Sequence, residues 1–136
     1  MTEASREVLS VVVEREMAHP PEKIWRALTQ PHLIEEWLMK NDFAPVVGRK
    51  FNLRAEWGDV DCEVRTVEQH RSLCYSWDAK GLTSVVTWTL TPTAKGTLVR
   101  MEQTGFRPDQ QPFYRGATAG WQNFFAKLEQ VLSKSA

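Results

Sequence analysis

Aromatic side chains dominate the chemistry that this sequence can perform. Six tryptophans occur in 136 residues, and each indole offers a wide apolar face with one N–H donor, which suits it to hold and orient a ligand. Trp57, Trp77 and Trp88 fall in segments with strand-like alternation, whereas Trp37 and Trp121 fall in segments with helical spacing. We predict that these indoles converge on one partly hollow interior. The alternative is that they simply fill a core.

One polar side chain is expected in the same interior. Gln103 shares strand parity with Val99 and Met101, and a buried amide needs hydrogen-bond partners, which a ligand or water can supply. Alternatively, backbone groups satisfy it, or it lies at the sheet edge. The residues predicted to line a ligand-binding site are Trp37, Phe51, Leu53, Trp57, Tyr75, Trp77, Trp88, Met101, Gln103, Trp121 and Phe125.

Groups that could support catalysis or bind a metal are scattered along the chain. His19, His32 and His70 lie in separate turn-like segments, and none has a metal-ligand spacing such as HxxxH. There is no GxSxG nucleophile elbow and no glycine-rich phosphate loop. We therefore predict no catalytic residue, no metal and no cofactor.

Composition excludes several broad classes of protein. Seventeen basic and seventeen acidic residues cancel, so no overall field favours nucleic acid or anionic membranes. No apolar run approaches the roughly 18 residues of a membrane span, and the first residues lack a signal-peptide layout. The length fits one domain over residues 1–136. We predict a cytoplasmic protein without a membrane span or a nucleic-acid partner.

The two cysteines point to the same compartment. If the strands around Cys62 and Cys74 pair through a turn near His70-Arg71, Cys74 lies opposite Val67 and faces the other side of the sheet from Cys62. A disulfide is then not expected, and reduced thiols suit a reducing compartment.

The elements that must position these residues follow a clear order. Residues 8–17 alternate as a strand, and helical spacing follows each of the breaks at Pro20-Pro21 and Pro31. Further strands are predicted at residues 49–57, 60–68, 73–78, 84–91 and 97–104, and a long helix at residues 111–133. This order predicts an α+β fold with a strongly curved antiparallel sheet around one long C-terminal helix and two short helices after the first strand.

Two glycines mark the start of the predicted last helix. Gly116 and Gly120 carry no side chains, so the first turns either pack closely on another backbone or leave room for a ligand.

Several of these segments together resemble a known family. They are residues 17–29 (MAHPPEKIWRALT), residues 33–37, Gly96-Thr97 before a strand ending at Gly105-Phe106, and Gly120-Trp121 in the last helix. The chain resembles, over about residues 8–132, the family named for homology to the activator of Hsp90 ATPase, within the START-like, or SRPBCC, superfamily. The resemblance implies a helix-grip fold with a pocket between the sheet and the C-terminal helix.

Three functions follow from these observations. The leading hypothesis is a non-enzymatic module, a monomer or weak homodimer, that binds a small hydrophobic or aromatic ligand. The family name implies a chaperone partner instead, although the eukaryotic activator resembles this chain only in one of its domains. Superfamily members that resemble polyketide cyclases imply an enzyme, in which Gln103, Arg54 or Tyr75 would have to point inward.

Overall fold

The computed structural model describes residues 9–56, 58–79 and 81–134. Within them the chain forms seven strands and three helices, which confirms the predicted α+β helix-grip fold. In chain order the elements are β1 (Leu9–Met17), α1 (Pro21–Thr29), α2 (Pro31–Trp37), β2 (Lys40–Asn41), β3 (Lys50–Ala55), β4 (Gly58–Glu68), β5 (Ser72–Ala79), β6 (Leu82–Pro92), β7 (Thr97–Phe106) and α3 (Gln111–Lys134).

The strands form one antiparallel sheet in the order β1-β7-β6-β5-β4-β3-β2. Only β1 departs from sequential pairing, because it joins β7 and not β2, with Val13 opposite Met101. Along β6 the side chains of Ser84, Val86 and Trp88 are buried while the residues between them are half-buried. This period of two gives the sheet one apolar face toward the helices. The two-residue strand β2 was not predicted, since two residues are too few to show a period.

The long helix α3 packs on that face mainly through its C-terminal half. Trp121, Phe125, Leu128 and Leu132 are buried at helical spacing, whereas no residue from 111 to 120 is fully buried. Arg15 of β1 holds the same half of the helix, because its guanidinium donates to Glu129 (2.6 Å) and to Gln122 (3.1 Å). The N-terminal half is therefore the part of α3 that is left free to border a pocket.

The cysteines lie on opposite faces, as predicted, although the register differs. The turn between β4 and β5 pairs Glu68 with Ser72, which places Thr66, not Val67, opposite Cys74, and a bulge between Val64 and Thr66 then leaves Cys62 on the other face. Cys62 is buried, Cys74 is half-buried and both are free thiols. Burial raises the pKa of the Cys62 thiol, and nearby acidic groups reinforce the shift, so this thiol stays protonated at neutral pH.

One glycine is required by the approach of β1 to the start of β7. A Cβ added at Gly96 would collide with the carbonyl oxygen of Met17 and lie 2.8 Å from the amide nitrogen of His19. We expect Gly96→Ala to lower the free energy of unfolding by about 2–3 kcal/mol, measured by urea denaturation. Gly48→Ala is the matched control, because Gly48 also has a positive φ but has open space around it, and it should cost only about 1 kcal/mol. Equal losses in the two variants would contradict the collision at Gly96.

Candidate ligand-binding site

An apolar pocket lies between the sheet and the N-terminal half of α3. Its volume is about 380 Å³, which is at the low end of the range for small-molecule sites. Strands β5, β6 and β7 form one wall, and the first turns of α3 form the opposite wall. The lining residues are Met39, Trp77, Ala79, Leu82, Gln103, Pro112, Phe113, Gly116, Ala117, Gly120, Trp121 and Phe124.

The pocket exists because the helix presents small residues where it faces the sheet. Phe113, Gly116, Ala117 and Gly120 recur at helical spacing along the pocket side of α3. A Cβ added at Gly116 or Gly120 would meet no atom within 4 Å. Of the two alternatives raised by the sequence, these glycines therefore leave room and do not serve close packing.

A chain of hydrogen bonds crosses the wall of the pocket. The indole nitrogen of Trp121 donates to Oε1 of Gln103 (2.6 Å), and Nε2 of Gln103 donates to Oγ of Ser84 (2.9 Å). The Ser84 hydroxyl in turn donates to the carbonyl oxygen of Trp77 (2.7 Å). Gln103 is only 1% exposed, and its amide bonds to these two side chains and not to backbone groups. These three hydrogen bonds fix α3 to strands β5, β6 and β7 at the pocket.

Trp88 forms the centre of the packed core beside the pocket. Its ring stacks on Phe125 at 5.5 Å, with 18° between the ring planes, and meets the edges of Trp37 and Trp121 at 5.6 and 5.8 Å. Its indole nitrogen donates to the hydroxyl of Tyr75 at 3.1 Å. Burial raises the pKa of Tyr75, so that hydroxyl stays protonated at neutral pH and belongs to the core.

Trp37 also lies in this core and not at the pocket rim. It is 2% exposed, and its indole nitrogen donates to the carbonyl oxygen of Ala27 at 2.8 Å. This bond joins α2 to α1. The prediction that Trp37 borders the pocket overlooked the short helices, which pack against each other and bury its ring.

The structure divides the predicted site residues into three groups. Trp77, Gln103 and Trp121 line the pocket. Trp57 lies outside the described residues. The remaining seven are buried in the core and do not line the pocket: Trp37, Phe51, Leu53, Tyr75, Trp88, Met101 and Phe125. The alternation of side chains along each strand identifies the inner face of the sheet correctly. The helix side chains that pack on that face decide which of its residues border the pocket. A ligand-binding role for any of these residues stays a prediction.

Several pocket residues were not singled out from the sequence. Met39, Ala79, Leu82, Phe113 and Phe124 all contribute to the lining. The usable signal was the pair of glycines in α3, because helix residues without side chains are one way to leave open space over the sheet. Extending the helical stripe from Gly116 by one turn in the N-terminal direction would have reached Phe113.

The described lining of this pocket is uncharged. Of the described residues that line it, none carries a charge, and Arg54, which the enzyme hypothesis required to point inward, is exposed. Across residues 9–56, 58–79 and 81–134, no three His, Cys, Asp or Glu side chains are grouped as metal ligands. None of the helices in the described part of the chain has the length and apolar character of a membrane span.

A curved antiparallel sheet that grips a C-terminal helix, with an apolar pocket at the N-terminal half of that helix, defines a helix-grip protein. The family model described as Activator of Hsp90 ATPase homolog 1-like protein matches residues 18–133. The chain therefore belongs to this family, as the sequence motifs predicted.

Solved structures share this fold. Protein MLL2253 from Mesorhizobium loti is 59% identical and superimposes with a TM-score of 0.91, covering 94% of this chain and 99% of that one. DynU16, described as a protein in the dynemicin biosynthetic locus, is 25% identical with a TM-score of 0.82; the match covers 92% of this chain and 47% of DynU16. The Aha1 dimer from Colwellia psychrerythraea is 20% identical, covers 91% of this chain and 96% of that one, and shares the fold with a TM-score of 0.83. No protein in the curated set is significantly similar to the chain.

Proposed function

We propose that the protein binds a small, largely apolar aromatic ligand in the pocket between the sheet and the N-terminal half of α3, without chemical conversion. The observation that carries this proposal is the open space beside Gly116 and Gly120, which the described residues line with apolar side chains and with one side-chain amide, that of Gln103. Ligand sites in proteins commonly combine apolar walls with a few placed polar groups.

The aromatic walls favour a ring-shaped ligand. Trp77 and Trp121 lie 5.4 Å apart with 53° between their planes, and Phe124 meets the edge of Trp121 at 5.4 Å. An inserted ring can stack on one of these faces and meet the edge of another, which adds to the gain from burial alone.

Binding should change tryptophan emission and thermal stability together. Trp77 and Trp121 line the pocket, so a flavonoid, fatty acid or polyketide that enters it should shift their fluorescence. A ligand present at about 100 times its Kd should add about 2.7 kcal/mol to the free energy of unfolding. The measurements are a fluorescence titration and a melting curve with each compound. A panel that leaves both unchanged would remove the support for this proposal.

A small-molecule role also fits one relative. DynU16 is described as a protein of a biosynthetic locus, which is a setting for small-molecule chemistry.

The chaperone partner implied by the family description, a cytoplasmic location and the weak homodimer remain separate predictions; the Colwellia relative is described as a dimer. Co-purification with an Hsp90 homologue and a change in its ATP turnover would favour the chaperone function instead.

A further inference from the structure

We propose that Gln103 selects neutral ligands with a carbonyl acceptor, such as aryl ketones. Such ligands bind in preference to apolar molecules of the same shape and to carboxylates. This proposal rests on the ligand site proposed above. The inference follows from the hydrogen bonds that the amide already makes and from the lack of charge in the described pocket lining.

The orientation of the Gln103 amide is fixed by its neighbours. An indole nitrogen can only donate, so the atom bonded to Trp121 must be the amide oxygen. The Ser84 hydroxyl uses its one proton on the carbonyl oxygen of Trp77, so it must accept from the amide nitrogen. The oxygen and nitrogen of a side-chain amide are often hard to tell apart. Here the donor at Trp121 and the acceptor at Ser84 decide which is which.

One donor of this amide is left for a ligand. The amide nitrogen carries two hydrogens, and one of them is used on Ser84. Among the described residues, Ser84 and Trp121 are the partners of the Gln103 side chain, and Trp121 bonds to the amide oxygen and not to the nitrogen. Gln103 borders the pocket, so we infer that a ligand carbonyl in the pocket accepts this second N–H and satisfies a buried donor.

The same surroundings disfavour a charged ligand. A carboxylate that enters an apolar site loses its hydration and needs a cationic partner or several donors in return. The described lining supplies the Gln103 amide but no cationic side chain. A neutral carbonyl needs far less compensation, and one N–H provides it.

Three probes of nearly equal shape test this selection. 2-Acetylnaphthalene carries the ketone. In 2-isopropenylnaphthalene a methylene group replaces the ketone oxygen, and in 2-naphthoate a carboxylate replaces the whole acetyl group. Calorimetry with the full chain should show the ketone binding about threefold to tenfold tighter than the alkene, with naphthoate the weakest. In Gln103→Met the ketone and the alkene should bind equally.

A spectroscopic measurement on the unaltered protein keeps the test independent of that variant's folding. The indole N–H resonance of Trp121 should move more with the ketone than with the alkene, because its acceptor atom belongs to the amide that the ketone polarises. Equal affinities for ketone and alkene, or tightest binding of naphthoate, would overturn the selection and leave the ligand site standing. Failure of all three probes to bind would also overturn the selection, whereas the ligand site itself is decided by the panel of flavonoids, fatty acids and polyketides.

Discussion

Trp88→Ala should lower the free energy of unfolding by about 3–5 kcal/mol, the range for truncating a large buried aromatic residue. The side chain is 0% exposed and touches the rings of Trp37, Trp121 and Phe125, so its removal leaves a cavity that three elements cannot close without moving. Domains of this size are stable by about 5–15 kcal/mol. The variant should therefore lie close to the unfolding transition at moderate urea concentrations.

Trp88→Phe separates the contribution of ring packing from that of the indole N–H. A phenyl ring keeps the contact with Phe125 but loses the N–H that donates to Tyr75, so the loss should be about 1–2 kcal/mol. Urea denaturation followed by far-ultraviolet circular dichroism measures both variants without relying on tryptophan emission. A loss below about 1 kcal/mol for Trp88→Ala would mean that Trp88 borders open space, as first predicted from the sequence.

Gly120→Met should weaken ligand binding strongly while leaving the fold intact. An added Cβ at Gly120 meets no atom within 4 Å, and the longer side chain would extend into the pocket of about 380 Å³. We expect affinity to fall by at least about thirtyfold, since the ligand must displace a packed side chain worth about 2 kcal/mol or more. The free energy of unfolding should rise slightly, because glycine is among the poorest residues in a helix.

Ala119→Met is the control for this substitution. Ala119 precedes Gly120 in the same helix but is exposed and does not line the pocket, so affinity should stay within about twofold of the unaltered protein. Calorimetry with any compound that passes the fluorescence titration gives both values. Unchanged affinity in Gly120→Met would place the ligand somewhere other than this pocket.

The sequence predicted the fold well because its signals are local and repeated. The alternation of Val86, Trp88 and Leu90 identifies the buried face of β6, and all three residues are buried. The prolines at the starts of α1 and α2 and the helical stripe of α3 were equally readable. A bulge leaves no such repeat, and so the single-residue shift between Val64 and Thr66 escaped prediction.

The candidate site was predicted only in part, because a cavity depends on two elements at once. Trp77 and Trp88 have the same inward orientation, yet Trp77 borders the pocket while Trp88 lies beneath Phe125. The difference is set by which turn of α3 lies above each strand. Strand parity contains no information about that alignment, whereas the hydrogen bond from Trp121 to Gln103 fixes it in the folded protein.

If the proposed ligand binds beside them, the two glycines of α3 also affect how long the protein survives in a cell. Each leaves apolar surface of the pocket uncovered by a helix side chain, and apolar surface that stays in contact with water contributes no free energy of burial. A bound molecule would supply the missing contacts, so the folded fraction would rise with the concentration of that molecule. Chaperones and proteases act on the unfolded fraction, and cellular abundance of the protein would then follow the supply of its ligand. If the proposed ligand binds beside Gly116 and Gly120, the protein reaches its full stability only with a component that its gene does not encode.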